Sequence, residues 1–137
     1  MKPVVLDASV LVASISPRER HHAAARSALD GIPATTPFIV PELFRVEVIA
    51  ALARRGESSA LLDTVAAYLS TARFAVMPMD AASADRAMAV AKAARIRAYD
   101  AVYVALALDH DTALLTLDAE IAERVRATLP SARVTLA

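Results

Sequence analysis

Residues 4–9 of this 137-residue chain read VVLDAS, a short β-branched run that stops at the carboxylate of Asp7. A second apolar run, ALLTLD over residues 113–118, stops in the same way at Asp118. Continuous apolar runs of this length are typical of strands that are buried on both faces of a parallel sheet. If both strands are parallel and central, the two carboxylates emerge at the same edge of the sheet, where ligands bind in such folds.

Outward from these two runs, the chain alternates short strands with helices. The spacing of apolar residues predicts strands over residues 4–6, 35–40, 74–77, 113–117 and 132–136. It predicts helices over residues 8–15, 20–30, 42–55, 58–71, 80–95, 100–109 and 119–127. This alternation indicates a mostly parallel sheet that is covered by helices on both faces, with right-handed crossovers. No linker or repeat divides the chain, and its length suits one domain over residues 1–137.

Composition excludes several classes of protein. The chain is 57% hydrophobic with a mean hydropathy of +0.45, which is enough apolar material for a packed core. Its 15 basic residues balance its 15 acidic ones, so it carries no strongly basic coat for nucleic acid. It has no cysteine and only 2 glycines, which excludes disulfides, zinc fingers, thiol nucleophiles, a P-loop and a dinucleotide-binding fingerprint.

The apolar character does not indicate a membrane protein. The longest strongly apolar run, residues 101–108, is far shorter than the ~18 residues that a spanning helix needs. The first residues resemble a signal peptide, but Asp7 interrupts the apolar region and Lys2 is the only basic residue before it. We therefore expect a cytoplasmic protein that does not associate with membranes.

Two further carboxylates lie where a charge is costly. Asp100 opens the most apolar helix of the chain, and Glu47 lies on the apolar stripe of another helix. The other members of that stripe are Leu43, Val46, Ile49 and Ala50. Four carboxylates at one pocket repel one another and raise at least one pKa, a conflict that a divalent cation removes. Carboxylate ligands without His or Cys favour a hard ion, Mg²⁺ or Mn²⁺.

Each acid also has a plain structural interpretation. Asp7, Asp100 and Asp118 precede predicted helices, where Asp is a preferred N-cap worth about 1 kcal/mol, and a cap can also be a metal ligand. A glutamate such as Glu47, taken alone, more often extends to solvent at the rim of its helix. Two hydroxyl residues stand two positions from an acid, and we expect them to orient these carboxylates. They are Ser9, next to Asp7, and Thr116, next to Asp118.

The four acidic segments, taken in order, resemble those of PIN-domain ribonucleases, and most of all the short, free-standing VapC-type toxins of bacterial toxin–antitoxin pairs. The matching segments are VVLDASVL at residues 4–11, PELFRVEVIAAL at 41–52, RAYDAVYVALAL at 97–108 and ALLTLDAEIA at 113–122. No single segment is specific, but together they span nearly the whole chain. No acid of the pattern is missing, and Tyr99 is a mild departure because the family often has a small or polar residue there.

The resemblance implies a three-layer α/β/α sandwich with a Rossmann-like, mostly parallel central sheet. It implies hydrolysis of RNA phosphodiester bonds that depends on Mg²⁺, with Mn²⁺ as a possible substitute, and that leaves 5′-phosphate and 3′-hydroxyl ends. The implied partners are an RNA substrate, a VapB-type antitoxin and a second copy of the chain in a homodimer. By motif position, catalysis and metal binding fall to Asp7, Glu47, Asp100 and Asp118, with Ser9 and Thr116 as supporting residues.

RNA must approach an acidic pocket, so basic side chains at its rim must attract the phosphates. The candidates are Arg18, Arg20, Arg54, Arg55, Lys92, Arg95 and Arg97. Arg97 is the best placed, because it lies three residues from Asp100. Tyrosines such as Tyr99 and Tyr103 more often pack in the core or at a dimer contact than stack on RNA bases. Adjacent residues on a helix point about 100° apart, so His21 and His22 do not form a metal pair.

Three alternative functions fit less well. A phospho-acceptor receiver domain needs a lysine late in the chain, whereas the only lysines are Lys2 and Lys92. A haloacid-dehalogenase-type phosphatase needs a second Asp two residues after Asp7, where Ser9 stands. A catalytically silent PIN-like scaffold that binds RNA or a protein stays open, although the presence of all four acids argues against it.

Overall fold

The structure, a computed structural model, describes residues 1–137 and contains one five-stranded sheet and seven helices. The strands are β1 (Val4–Leu6), β2 (Phe38–Pro41), β3 (Phe74–Met77), β4 (Ala113–Thr116) and β5 (Arg133–Leu136). The helices are α1 (Ala8–Ile15), α2 (His22–Asp30), α3 (Leu43–Arg54), α4 (Ser59–Leu69), α5 (Ala81–Ala94), α6 (Ala98–Asp109) and α7 (Ala119–Thr128). Every predicted strand and helix is present in the predicted order.

All strands of the sheet are parallel, and their order is β3-β2-β1-β4-β5. Leu6 of the central strand β1 lies opposite Leu115 of β4, and the amide of Asp7 donates to the carbonyl of Leu115 at 3.0 Å. The chain runs from β1 to β2 and β3 on one side and then crosses to β4 on the other. A topological switch point therefore lies between β1 and β4. The predicted three-layer α/β/α architecture is confirmed.

The central strands are buried because nearly all of their residues are apolar. Val5, Leu6 and Val40 are fully buried, and Leu114 is nearly so. Helix α6 packs against β1, β2 and β4 and buries six of its residues, as its apolar sequence predicts. A close-packed core of this kind holds the carboxyl ends of β1 and β4 in fixed positions.

The prediction of which face of α3 is buried is wrong. Leu43 and Val46, which belong to the predicted stripe, are 38% and 63% exposed, and Ala50 is also exposed. The residues of α3 that are fully buried are Phe44, Val48 and Leu52. Apolar residues occur on several faces of this helix, so their spacing does not specify which face enters the core. Glu47 lies beside the buried face and is half-buried.

Several element boundaries also differ from prediction, among them those of β2 and α6. Strand β2 begins at Phe38 rather than Thr35, and it includes Pro41, which lies beyond the residues that pair with β1. Helix α6 begins at Ala98, so Asp100 lies in its first turn and does not cap it. An acid in the first turn is favoured by the positive end of the helix dipole.

None of the helices is both long enough and apolar enough to cross a lipid bilayer.

Candidate functional site

A cavity of about 980 Å³ opens at the carboxyl ends of β1 and β4, and all four predicted acids line it. Four separate parts of the chain supply them. Asp7 follows β1 and Asp118 follows β4, while Glu47 lies on α3 and Asp100 on α6. The fold therefore brings together residues that are up to 111 positions apart in sequence, from Asp7 to Asp118.

Asp7 is a nearly buried carboxylate held by two hydroxyl groups. Its Oδ2 accepts hydrogen bonds from Ser9 Oγ at 3.0 Å and from Thr116 Oγ1 at 2.6 Å. Its Oδ1 accepts only the Ser9 amide, at 3.4 Å, so Asp7 also serves as the N-cap of α1. Ser9 and Thr116 thus contact the same acid, which brings both predicted supporting residues to Asp7.

Thr116 links the two acids that follow the central strands. Its hydroxyl is fully buried, donates to Asp7 Oδ2 and accepts the backbone amide of Asp118 at 3.1 Å. Asp118 Oδ1 accepts the amides of Glu120 and Ile121 at 2.9 and 3.2 Å and caps α7. Capping and a position in the cavity therefore coexist at Asp118.

Glu47 is held by a residue whose role the sequence did not reveal. Tyr103 Oη donates to Glu47 Oε1 at 2.7 Å. The tyrosine is in the core, as predicted, but its hydroxyl reaches the cavity wall and bonds to an acid. One signal was available: Asp100 and Tyr103 are three residues apart on α6, a spacing that places both on one face of a helix. Glu47 is half-buried, and its carboxylate lies at the cavity with Oε1 bound to Tyr103.

Arg97 spans two of the acids at the mouth of the cavity. Its Nε donates to Asp100 Oδ2 at 3.2 Å, and its Nη2 lies 3.9 Å from Asp118 Oδ2. The arginine side chain is largely exposed, whereas that of Asp100 is mostly covered. Arg97 is therefore placed where prediction put it, but in this structure its guanidinium contacts carboxylates.

Burial raises the pKa of two of the acids, and their negative neighbours add to the shift. For Glu47, burial is the largest cause, the hydrogen bond from Tyr103 opposes it, and Asp7 and Asp100 raise the pKa further. The pKa of Asp100 is also raised chiefly by burial, with Arg97 opposing and the charges of Asp7 and Asp118 adding. The predicted rise in at least one pKa is confirmed, although burial rather than repulsion is its main cause.

The donor chemistry of the cavity fits a hard divalent cation. The four acids supply only carboxylate oxygens, which Mg²⁺ and Mn²⁺ prefer. As placed, no three acidic or histidine side chains lie close enough together to hold a metal ion. Four side chains and three backbone amides already donate hydrogen bonds to oxygens of these acids; the side chains are those of Ser9, Arg97, Tyr103 and Thr116. The cavity therefore contains oxygen ligands that suit such a cation, but in this arrangement they do not converge on a single point.

The remaining predicted residues divide into those at the cavity and those away from it. Arg54, Arg55, Arg97 and Tyr99 line the cavity. Of the other basic candidates, Arg95 lies with Arg97 in a smaller neighbouring cavity of about 300 Å³, and Arg18 pairs with Glu57. His21 lines the main cavity, but His22 Nδ1 lies 2.7 Å from the Ala13 carbonyl oxygen. The two histidines therefore have different surroundings.

Comparison with solved structures shows the same fold in several toxins and toxin–antitoxin complexes. VapC20 from Mycobacterium tuberculosis, described as a sarcin–ricin loop cleaving toxin, is 18% identical with a TM-score of 0.73, and the match covers 88% of this chain and 93% of that chain. A toxin–antitoxin complex from Klebsiella pneumoniae is 19% identical with a TM-score of 0.68, over 94% of each chain. DNA-bound VapBC from Salmonella typhimurium is 19% identical with a TM-score of 0.66, over 99% of this chain and 98% of that chain.

Comparison with protein families gives a direct assignment. No curated protein matches the chain. The family model for the PIN domain matches residues 4–127, a span that begins with β1 and contains all four acids. Since this match extends over most of the sequence, the chain belongs to the PIN domain family.

Proposed function

We propose that this protein is an endoribonuclease that depends on Mg²⁺ or Mn²⁺ and acts as the toxin of a VapBC-type toxin–antitoxin pair. One observation carries the proposal: Asp7, Glu47, Asp100 and Asp118 line a single cavity at the carboxyl ends of the central strands of a PIN domain. Structural acids are usually scattered as caps and surface ion pairs. Four of them on one cavity wall are instead suited to binding a cation and a phosphodiester.

In this proposal the four acids hold the metal ion. When bound, the ion neutralises charge on the phosphate oxygens and lowers the pKa of water, which is the chemistry that phosphodiester hydrolysis requires. Ser9 and Thr116 fix the orientation of Asp7 through its Oδ2, and Oδ1 keeps only one long contact. In each of the other three acids, one oxygen accepts no hydrogen bond: Glu47 Oε2, Asp100 Oδ1 and Asp118 Oδ2.

Arginines at the rim supply the attraction that RNA needs. The chain has a net charge of zero, so phosphate binding must depend on local charge. Arg54 lines the cavity and makes no ion pair, while Arg55 pairs with Glu19. Arg97 is exposed and able to exchange its carboxylate contacts for a phosphate. We propose that Arg97, together with Arg54, binds the RNA backbone beside the acids.

The experiment that tests this function removes one charge at a time. The variants Asp7→Asn, Glu47→Gln, Asp100→Asn and Asp118→Asn are assayed for cleavage of single-stranded RNA in Mg²⁺ or Mn²⁺ and in EDTA. Loss of a residue that only orients a metal ligand typically costs about 10- to 100-fold. Because each of these variants changes a proposed ligand itself, each is expected to lose at least about 100-fold in activity. Asp85→Asn, which changes an exposed acid on α5, is the matched control and keeps full activity. Full wild-type activity in EDTA, or in any two of the four variants, contradicts the mechanism.

The alternative is a silent scaffold that binds RNA or a protein without cleaving. Isothermal titration with Mn²⁺ separates the two functions, because a scaffold has no reason to keep a specific metal site. Saturable Mn²⁺ uptake that Asp100→Asn abolishes supports the nuclease. Binding of RNA without metal uptake or cleavage supports the scaffold.

Partners follow from the solved neighbours and from one exposed surface. Several neighbours are described as VapBC or toxin–antitoxin complexes, and we propose that a VapB-type antitoxin binds this chain as well. Leu43 and Val46 of α3 are exposed apolar residues that line the cavity, and Ile49 lies next to them on an adjoining groove of about 450 Å³. We propose that these residues are covered in the cell by the antitoxin or by a second copy of the chain. Light scattering of the isolated chain distinguishes a homodimer from a monomer. We expect the protein in the cytoplasm, where RNA and the antitoxin are synthesised.

A further inference from the structure

The hydroxyl group of Tyr103 is the one polar atom of the core that reaches an acid of the cavity from α6. The tyrosine is only 2% exposed, and its Oη lies 2.7 Å from Glu47 Oε1. A phenylalanine would fill the same space in the core. The hydroxyl therefore adds a hydrogen bond to Glu47 that a phenylalanine could not make.

The two partners differ in how firmly the fold holds them. Tyr103 lies in the middle of α6, which packs against β1, β2, β4 and α5. Its ring has two rotatable bonds and is surrounded by core residues, so its hydroxyl is fixed. Glu47 has three rotatable bonds, and the helix around it is exposed at Val46 and Ala50. A glutamate in this setting keeps several rotamers unless a partner selects one.

We propose that Tyr103 is a positioning residue that holds Glu47 in one rotamer, with Oε1 bound to the phenol and Oε2 turned to the cavity for the cation. The inference rests on the proposed function, because it gives Glu47 the task of a metal ligand. A partner behind a ligating side chain typically contributes 10- to 100-fold to metal affinity or activity, since it removes the cost of ordering the ligand.

The phenol is suited to this task because it remains a donor. A phenolic hydroxyl is neutral, so it donates a hydrogen bond to the carboxylate without adding a charge beside it. A single donor also satisfies only one oxygen of the glutamate. A lysine or arginine at this position would instead compete with the cation for the same carboxylate.

The test is Tyr103→Phe, which removes one oxygen and leaves the core filled. Isothermal titration with MnCl₂ measures the dissociation constant and the stoichiometry, and single-stranded RNA cleavage gives kcat and KM. We expect the Mn²⁺ dissociation constant to rise about tenfold with unchanged stoichiometry, and kcat to fall with little change in KM. A purely structural role would lower the folded fraction and hence the stoichiometry, but it would not change the dissociation constant.

Two comparisons make the result specific. Tyr68→Phe removes the hydroxyl of an exposed tyrosine on α4, and we expect it to change neither the Mn²⁺ dissociation constant nor kcat. In a Glu47→Gln background, Tyr103→Phe is expected to cause no further loss of Mn²⁺ affinity, because the two residues act as a unit. An equal loss in both backgrounds overturns the inference.

A second measurement covers the case in which Tyr103→Phe unfolds. The chain has three tyrosines, so protein that carries 3-fluorotyrosine and the change Tyr68→Phe gives a ¹⁹F spectrum with two resonances. Addition of MgCl₂ is expected to shift the Tyr103 resonance, and the shift is expected to disappear in Glu47→Gln. A Tyr103 resonance whose chemical shift does not change when MgCl₂ is added overturns the inference.

The failure of the inference is distinguishable from the failure of the proposed function. Wild-type protein that neither takes up Mn²⁺ nor cleaves RNA overturns both. Wild-type protein that does both, with Tyr103→Phe unchanged in its dissociation constant, overturns only the role of Tyr103.

Discussion

The hydroxyl of Thr116 shows how one buried atom organises two acids. It donates to Asp7 Oδ2 and accepts the amide of Asp118, so the end of β1 and the loop after β4 are joined through a single oxygen. Backbone pairing between β1 and β4 already sets the distance between these segments. The threonine adds orientation, because it selects which oxygen of Asp7 stays available to the cavity.

Thr116→Val keeps the shape of the side chain and removes its hydrogen bonds. Because a bond to a charged group is lost and the amide of Asp118 loses its acceptor, we expect the free energy of unfolding to fall by about 2 kcal/mol. We expect RNA cleavage to fall about tenfold, since Asp7 loses its shortest contact. Urea denaturation and an RNA cleavage assay measure the two effects. Thr135→Val on the exposed face of β5 is the control and is expected to stay within about 0.5 kcal/mol of wild type. Equal effects of the two substitutions would contradict this role for Thr116.

At the scale of single elements, the sequence predicts where a strand or helix lies along the chain better than it predicts which face of a helix is buried. Strands β1 and β4 are continuous apolar runs that end in Asp, and this pattern alone places Asp7 and Asp118 at one edge of a parallel sheet. The order and type of all elements are confirmed for the same reason: apolar runs and turn residues are local signals. The sheet order β3-β2-β1-β4-β5 depends on long-range packing and had no local signal.

Helix α3 illustrates where the local signal fails. Its sequence, LFRVEVIAALAR, is apolar on more than one face, so two different stripes are compatible with burial. Contact with the core selects Phe44, Val48 and Leu52, and leaves the predicted stripe on the surface. The partner of Glu47 was hidden for a related reason. Tyr103 comes from α6, 56 residues further along the chain, and only the packing of α6 against the sheet brings it there.

The orientation of α3 is testable with one pair of substitutions. Val48→Ala is expected to lower the free energy of unfolding by about 2 kcal/mol, because it leaves a cavity at a fully buried position. Val46→Ala makes the same chemical change at an exposed position and is expected to change stability by less than about 0.5 kcal/mol. Chemical denaturation of both variants checks the prediction. The reverse order of effects would mean that the stripe with Val46 enters the core instead.

At the scale of the whole molecule, the fold concentrates negative charge at one edge of the sheet. The chain is neutral overall, yet four carboxylates line one cavity, and only Arg97 faces two of them. The strands and helices that position these acids are held by the apolar core, so the charges cannot move far apart. Without a cation, part of the stability of the core is therefore offset by the cost of keeping Glu47 and Asp100 charged and partly buried.

This cost predicts how stability depends on pH and metal. The folded-state pKa values of Glu47 and Asp100 lie above their ordinary values of 4.5 and 3.8, so at intermediate pH the folded protein binds protons that the unfolded chain does not. Their contribution is therefore unfavourable at neutral pH and is relieved as the pH falls through the raised values toward the ordinary ones. In EDTA, the double variant Glu47→Gln/Asp100→Asn is expected to be more stable than wild type at pH 7, and the difference is expected to shrink as the pH falls toward the ordinary pKa values of the two acids. Free Mn²⁺ at 100 times its dissociation constant is expected to stabilise wild type alone, by about 2.7 kcal/mol. Thermal unfolding across this pH range, with and without Mn²⁺, measures both effects. If the stability difference in EDTA does not vary with pH, burial does not make the charged forms of Glu47 and Asp100 costly, and the prediction is wrong.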